Sequence, residues 1–115
     1  MTSDPPEVSI IIPIHNEVGL LETAVRALRQ QWRERLDRPW ELILAENGST
    51  DRTGAVAAAL ANRWPGEVRV LSLPDPDYGA ALKAGMLAAR GELVIAEEID
   101  LCDLDFHTRA LALLD

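Results

Sequence analysis

The chain is poor in cysteine: its 115 residues include one, Cys102. A single thiol forms no intramolecular disulfide, which excludes a disulfide scaffold and fits a reducing compartment. Basic residues are also few, with 11 Lys and Arg against 19 Asp and Glu and a formal net charge of −8. Such a chain gains nothing from the counterion release that drives general nucleic-acid binding, so no nucleic-acid partner is expected. Its acidity likewise disfavours adsorption to anionic lipid. No apolar run approaches the roughly 20 residues of a membrane helix. Residues 1–7, Met-Thr-Ser-Asp-Pro-Pro-Glu, have no basic segment and no apolar stretch, so we expect no signal peptide and a cytoplasmic location. The G-x-x-x-x-G-K-[ST] spacing of a Walker loop and the G-x-G-x-x-G of a dinucleotide fold are both missing.

What remains is a foldable composition. Hydrophobic residues make up 48% of the chain, which excludes disorder as the default. This length allows one domain or part of one, able to bury about 65% of its unfolded surface. We expect an extended or disordered stretch over 1–7 and one folded unit over 8–115.

The period of the apolar residues alternates along the chain. Val8-Ser9-Ile10-Ile11-Ile12-Pro13-Ile14 is a near-continuous β-branched run, as in a strand buried on both faces. Leu21, Val25, Leu28 and Trp32 then recur at helical spacing. A second strand is expected at Trp40 to Ala45 and a turn at Glu46-Asn47-Gly48-Ser49. Ser49 or Thr50 is expected to cap an Ala-rich helix with Val56 and Leu60 inward. Val68 to Leu73 reads as a third strand. After a Pro- and Asp-rich loop, a helix is expected to carry Leu82, Met86 and Ala89 on one side, with Gly91 at its C′ position. Leu93 to Ala96 reads as a fourth strand, and residues 106–114 as the start of another helix. The order β-α-β-α-β-α-β predicts an α/β fold with a doubly wound, mainly parallel sheet and right-handed crossovers. Ligands of such sheets sit beyond the carboxyl ends of the strands.

The segments expected at that edge carry most of the specific polar residues. In Glu98-Ile99-Asp100 two carboxylates two residues apart point the same way on an extended chain. They suit Mg²⁺ or Mn²⁺, and Glu97 adds a third charge that a cation would neutralise. A solvated acidic loop is the plainer reading of that segment alone. Glu46 to Asp51 is a tight turn before a helix start, with unpaired N–H groups for a base or sugar; an ordinary capped connection explains it equally. In the segment Tyr78 to Gly85, Gly79 and small alanines allow close approach of a helix start to an anion, or close packing on the sheet. Lys83 there is a phosphate partner or a solvated lysine. His15 is the one histidine on this edge. His107 has no evident partner, and Cys102 has no basic neighbour to activate it. Packing explains Trp32, Trp40 and Trp64.

The order of these segments resembles family 2 glycosyltransferases. Ile12-Pro13-Ile14-His15-Asn16-Glu17 resembles their I-P-x-[YFH]-N-E ending of the first strand. Glu46 to Asp51 resembles their D-D-G-S-x-D turn. Gly79 to Gly85 with Ala88 to Glu92 is similar to their G-x-x-x-A-x-x-x-G…A-x-G-[DE] segment, and Glu98-x-Asp100 stands in the place of their D-x-D. The resemblance implies a GT-A fold and a nucleotide-diphosphate-sugar donor, with a glycan, lipid phosphate or small molecule as acceptor. It implies that Pro13, His15 and Glu17 line the base and ribose pocket, with Glu46 and Asn47 facing the base. Gly79 and Lys83 would lie near the diphosphate, and Glu98 and Asp100 would hold Mg²⁺ or Mn²⁺. With a lipid acceptor, peripheral membrane association follows. The paired aspartates of the turn are Glu46 and Asn47 here, and the first D of the D-x-D is Glu98. The family's acceptor half and general base lie further along than Asp115. We therefore expect a donor-binding half with apolar surface open to self-association. The competing readings are a non-catalytic sugar-nucleotide module, or a truncated piece inactive alone. A receiver or flavodoxin-like domain is less compatible with a first strand ending in Pro-Ile-His-Asn-Glu.

Overall fold

The computed structural model describes residues 5–97, and the statements below concern those residues. Four strands and three helices alternate: β1 (Val8–Ile14), α1 (Leu21–Arg35), β2 (Trp40–Asn47), α2 (Thr53–Arg63), β3 (Val68–Leu73), α3 (Tyr78–Ala88) and β4 (Leu93–Ala96). The strands form one parallel sheet in the order β3-β2-β1-β4. The chain winds outward from β1 to β3, then crosses back to lay β4 on the other side of β1. The strand order therefore reverses between β1 and β4, the switch point at which doubly wound sheets open a crevice.

Every residue of β1 and β2 is buried. Alternate side chains of β1 feed two cores. Val8, Ile10, Ile12 and Ile14 pack with Leu21, Val25, Leu28 and Trp32 of α1 and with Ala57 and Leu60 of α2. Ile11 faces the other side, where Ile43, Ala45 and Ala81 of α3 form a smaller core. β4 ends at Ala96 opposite Ile11, and the Glu97 N–H bonds the Ile11 carbonyl. Pro13, which has no N–H to donate, lies past Ile11–Ala96, the last pair of β1 with β4.

Several sequence expectations need correction. β2 runs through Asn47, two residues beyond the expected strand, because Glu46 and Asn47 pair with Ser72 and Leu73. The cap residue of α2 is Arg52, with no side-chain cap bond, so neither Ser49 nor Thr50 holds that place. Asp51 substitutes, accepting the Thr53 N–H at 2.8 Å. On α3 the buried residues are Ala81 and Gly85, with Leu82 and Ala89 packed against the smaller core as expected, while Met86 is 59% exposed. A Cβ on Gly85 would collide with Ile11, so a small residue sets how closely α3 approaches the sheet. Gly91 is not the helix C′ residue, because α3 already ends at Ala88. Gly91 instead lies against the backbone of Glu7 and Val8, where a Cβ would come within 2.8 Å.

The amino end of the sheet holds a buried charge. Glu41, fully buried, accepts from the Ser9 hydroxyl at 2.6 Å, from Arg69 Nε at 2.9 Å and from the Arg90 N–H at 2.9 Å. The Arg90 side chain adds bonds at 3.1 and 3.2 Å. Burial alone pushes this carboxyl up. The Ser9 hydroxyl, the Arg90 N–H and Arg69 outweigh it and hold Glu41 below the ordinary glutamate range. Gly91 N–H to Ser9 Oγ completes a tie between the start of β4 and β1.

Candidate functional site

At the carboxyl end of the sheet three loops converge, following β1, β2 and β3. The first is tied to the second by a set of reciprocal bonds. His15 Nδ1 donates to the Asn47 carbonyl at 2.7 Å. The Asn16 N–H donates to Ser49 Oγ at 3.0 Å, and Asn16 Oδ1 accepts the Thr50 N–H at 2.9 Å. Asn16 reaches both because its backbone is left-handed, with φ of 51°, a region that asparagine tolerates better than most residues. The Glu17 N–H donates to Thr53 Oγ1 at 2.8 Å, and that hydroxyl in turn donates to Asp51. The Thr53 hydroxyl, working with the N–H groups of Thr53 and Val18, holds the Asp51 carboxyl below its ordinary value.

The second loop is tied to the third through Asn47 and Gly48. Asn47 Oδ1 accepts the Asp77 N–H at 2.6 Å, and the Gly48 N–H bonds the Leu73 carbonyl at 3.0 Å. Gly48 has φ of +64°, and a Cβ there would lie 2.5 Å from the Pro76 nitrogen. Only glycine satisfies both demands. Asp77 caps α3, accepting the Ala80 N–H at 3.0 Å. Glu46 is 7% exposed and accepts the Ser49 N–H at 2.6 Å, which folds the turn back on the end of β2.

The structure thus gathers Pro13, His15, Glu17, Glu46 and Asn47 at the adjoining ends of β1 and β2. Gly79 lies in the first turn of α3, joined to them through Asp77. Lys83 lies further along α3 on its exposed side, outside this hydrogen-bonded set. Glu98 and Asp100 lie outside the described residues, as do Cys102 and His107. Among the described residues no group of three or more His, Cys, Asp and Glu is placed to hold a metal ion. A shallow cavity of about 540 Å³ lined by Pro5, Pro6, Glu7, Pro39, Arg90 and Glu92 lies at the opposite end of the sheet, away from these residues.

Sequence reasoning gave no role to Asn16, Thr53 and Asp77 and read Ser49 only as a helix cap, yet these four do most of the stitching. For Asp77 a signal existed, an aspartate directly before a helical run. For the others the partners are 33 to 36 residues away, and no local pattern carries that information.

Among the described residues no helix is long and apolar enough to cross a membrane. The edge is strongly acidic. Glu17, Glu46, Asp51, Asp75, Asp77 and Glu97 lie in these loops or at the strand ends, with Arg52 the one basic residue there among the described positions. Such an edge repels an anionic ligand unless a cation accompanies it.

Comparison with known proteins places this edge in context. The model of the family described as glycosyl transferase family 2 matches residues 9–100. An undecaprenyl-phosphate 4-deoxy-4-formamido-L-arabinose transferase of Pectobacterium carotovorum is 34% identical over 107 residues, covering 88% of this chain and 31% of that protein. A dolichyl-phosphate β-glucosyltransferase of Trichomonas vaginalis is 35% identical over 104 residues, covering 84% of this chain and 32% of its own length. The chain therefore spans about a third of the length of the curated relatives it matches. Among solved structures, a mannosyltransferase of Pyrobaculum calidifontis in complex with GDP-Man and Mn²⁺ shares the fold, with a TM-score of 0.69 at 23% identity, over 85% of this chain and 28% of that one. Glucosyl-3-phosphoglycerate synthase of Mycobacterium tuberculosis, in complex with Mn²⁺, UDP and glucosyl-3-phosphoglycerate, gives 0.60 at 27% identity, over 81% and 33%.

Proposed function

The chain belongs to glycosyl transferase family 2, and from that premise we propose that it forms the donor-binding part of a metal-assisted glycosyltransferase with a GT-A type fold. The reaction moves a sugar from a nucleotide-diphosphate donor to a lipid phosphate. The observation that carries this reading is the stitched edge: three loops at the carboxyl ends of β1, β2 and β3, the first of them bordering the β1/β4 switch point, hold His15, Glu17, Glu46 and Asn47 in one hydrogen-bonded unit. The lipid-phosphate acceptor is supported by the relatives, whose names specify undecaprenyl and dolichyl phosphates. The protein would meet such an acceptor at a membrane surface.

On this reading Pro13, His15 and Glu17 line the base and ribose pocket, and Glu46 and Asn47 shape it from the β2 side. Gly79, in the first turn of α3, allows close approach of backbone N–H groups to the diphosphate, with Lys83 further out. In sequence Glu98 and Asp100 come just after Glu97, whose N–H bonds the Ile11 carbonyl of β1. They are hard-oxygen donors, the chemistry that Mg²⁺ and Mn²⁺ take. The acidity of the edge supports the same reading, because an anionic diphosphate among these loops would need a cation beside it. When bound, the metal stabilises negative charge on the leaving diphosphate. The protein's own contribution is orientation: a rigid edge positions the base so that the sugar is presented toward the crevice.

The test is thermal melting with UDP, GDP, dTDP and CMP, each with Mn²⁺, Mg²⁺ or chelator. Ligand at about 100 times its dissociation constant adds about 2.7 kcal/mol to stability. One nucleotide diphosphate should raise the melting temperature with metal present and lose the effect with chelator. Glu98→Gln and Asp100→Asn should reduce the shift. A melt that no nucleotide moves would show that the edge is not a donor site.

A further inference from the structure

Asn47 is 6% exposed, yet only half of its side-chain amide is used. Oδ1 accepts the Asp77 N–H at 2.6 Å. A backbone N–H can only donate, so the amide cannot be turned over, and Nδ2 is fixed on the side away from that bond. The main-chain carbonyl of Asn47 is engaged separately, by His15 Nδ1 at 2.7 Å. Among the described residues no acceptor meets Nδ2. Nor is Nδ2 one of the described atoms sealed from solvent without a partner. It is therefore an open donor on a buried residue, held in place by bonds to the first and third loops. Any group that packs against this nitrogen must accept a hydrogen bond or leave it stranded, and stranding a buried donor is costly.

We infer that Asn47 is a specificity-determining residue: its Nδ2 reads a keto oxygen on the nucleotide base and rejects an amino group in the same place. The inference rests on the nucleotide reading above, which brings the base to Asn47. The O4 of uracil and thymine and the O6 of guanine accept hydrogen bonds, whereas the exocyclic amino group of cytosine donates and sets N–H against N–H. An aspartate, which the family's turn carries in this place, is an acceptor only. Asparagine turns that acceptor into a donor without giving up the bond to Asp77. Glu46 does not supply the same contact. Neighbours on a strand face opposite sides of the sheet, and the Glu46 carboxylate folds under the turn, with Oε1 on the Ser49 N–H and Oε2 beside Gly54 of α2. Discrimination between an oxygen and an amino group needs a donor that cannot swing aside, and the bonds to Asp77 and His15 give Asn47 that rigidity.

The experiment measures affinity by calorimetry, with Mn²⁺, for nucleotide pairs that exchange a keto oxygen for an amino group: UDP with CDP, dTDP with 5-methyl-dCDP, and GDP with its 2,6-diaminopurine analogue. The chain is compared with its Asn47→Asp variant, whose carboxylate still accepts the Asp77 N–H but has no donor. The added charge weakens both members of a pair alike, as any loosening of the loops would, so the ratio within a pair is the readout. For the pair that binds, the unmodified chain should take the keto member at least about tenfold more tightly. In Asn47→Asp that ratio should fall to about one or invert, because a carboxylate accepts from the amino group. Equal binding of both members by the unmodified chain, or an unchanged ratio in the variant, would overturn the inference. If no member of any pair bound, the nucleotide reading itself would fall, a distinct outcome. Should the variant fold poorly, nitrogen NMR of the unmodified chain labelled at its three asparagines, Asn16, Asn47 and Asn62, reads the contact directly. The Asn47 side-chain amide should shift with the keto nucleotide bound; an unmoved signal at saturation overturns the assignment.

Discussion

At the scale of single residues, the two ends of the sheet show opposite uses of a polar side chain. Glu41 is a fully buried carboxylate kept ionised by its donors. Its folded-state value is lowered, so the unfolded chain takes up the proton first as pH falls. The stability it contributes is complete above the ordinary glutamate value of about 4.3 and is lost as pH drops through the lower folded value. Glu41→Gln should cost about 3 kcal/mol at pH 7, because Arg69 and Arg90 lose their counter-charge. The slope of stability against pH below about 5 should be shallower in the variant; urea unfolding at a series of pH values measures both. Gly48 shows the other use, a residue required for what it lacks. Gly48→Ala should cost more than 2 kcal/mol from its left-handed backbone and from contact with Pro76. Gly48→Asn separates the two causes. Asparagine accepts the backbone conformation, so an equally large loss in that variant assigns the cost to the collision.

At the scale of elements, α3 carries the clearest lesson about reading. A helix with Leu82, Met86 and Ala89 suggests a hydrophobic stripe; Leu82 and Ala89 do pack against the smaller core, yet α3 buries Ala81 and Gly85 against the sheet and leaves Met86 and Leu87 exposed. Close approach to Ile11 decides the face, and residue size in the partner strand is invisible to a period count. Gly85→Ala should therefore destabilise by about 1–3 kcal/mol although alanine is the better helix former. Met86→Lys on the other face should change stability by less than about 0.5 kcal/mol. Denaturant midpoints of the two variants test the orientation directly. α1 was legible for the opposite reason: Leu21, Val25, Leu28 and Trp32 are large, evenly spaced and all buried. β1 was legible because a central parallel strand buried on both faces needs an unbroken apolar run. The element order and the edge on which His15, Glu17, Glu46 and Asn47 meet followed from that alternation. The clasp through Asn16, Ser49 and Thr53 did not. It depends on one left-handed residue and on partners more than 30 residues apart.

At the scale of the whole molecule, the sheet keeps its buried charge and its stitched loops at opposite ends. The buried charge network clusters round Glu41 at the amino end, and the stitched loops begin at Asn47. Six residues of extended strand put these about 20 Å apart. Energetic effects at sites so separated add, to within about 0.5 kcal/mol. The double variant Glu41→Gln with Gly48→Ala should therefore lose the sum of the single losses. Nucleotide binding should divide differently. Glu41→Gln leaves the loops bonded as before, so its affinity for a metal–nucleotide diphosphate should stay within about twofold of the parent once both are fully folded. Gly48→Ala displaces the second loop from the third, and its affinity should fall about tenfold or more under the same conditions. The comparison has to be made well below both melting temperatures, because an unfolded fraction lowers apparent affinity by itself. If Glu41→Gln weakened binding as much as Gly48→Ala, the two ends would be coupled through β2. The sheet would then be transmitting strain and not merely holding its edge in place.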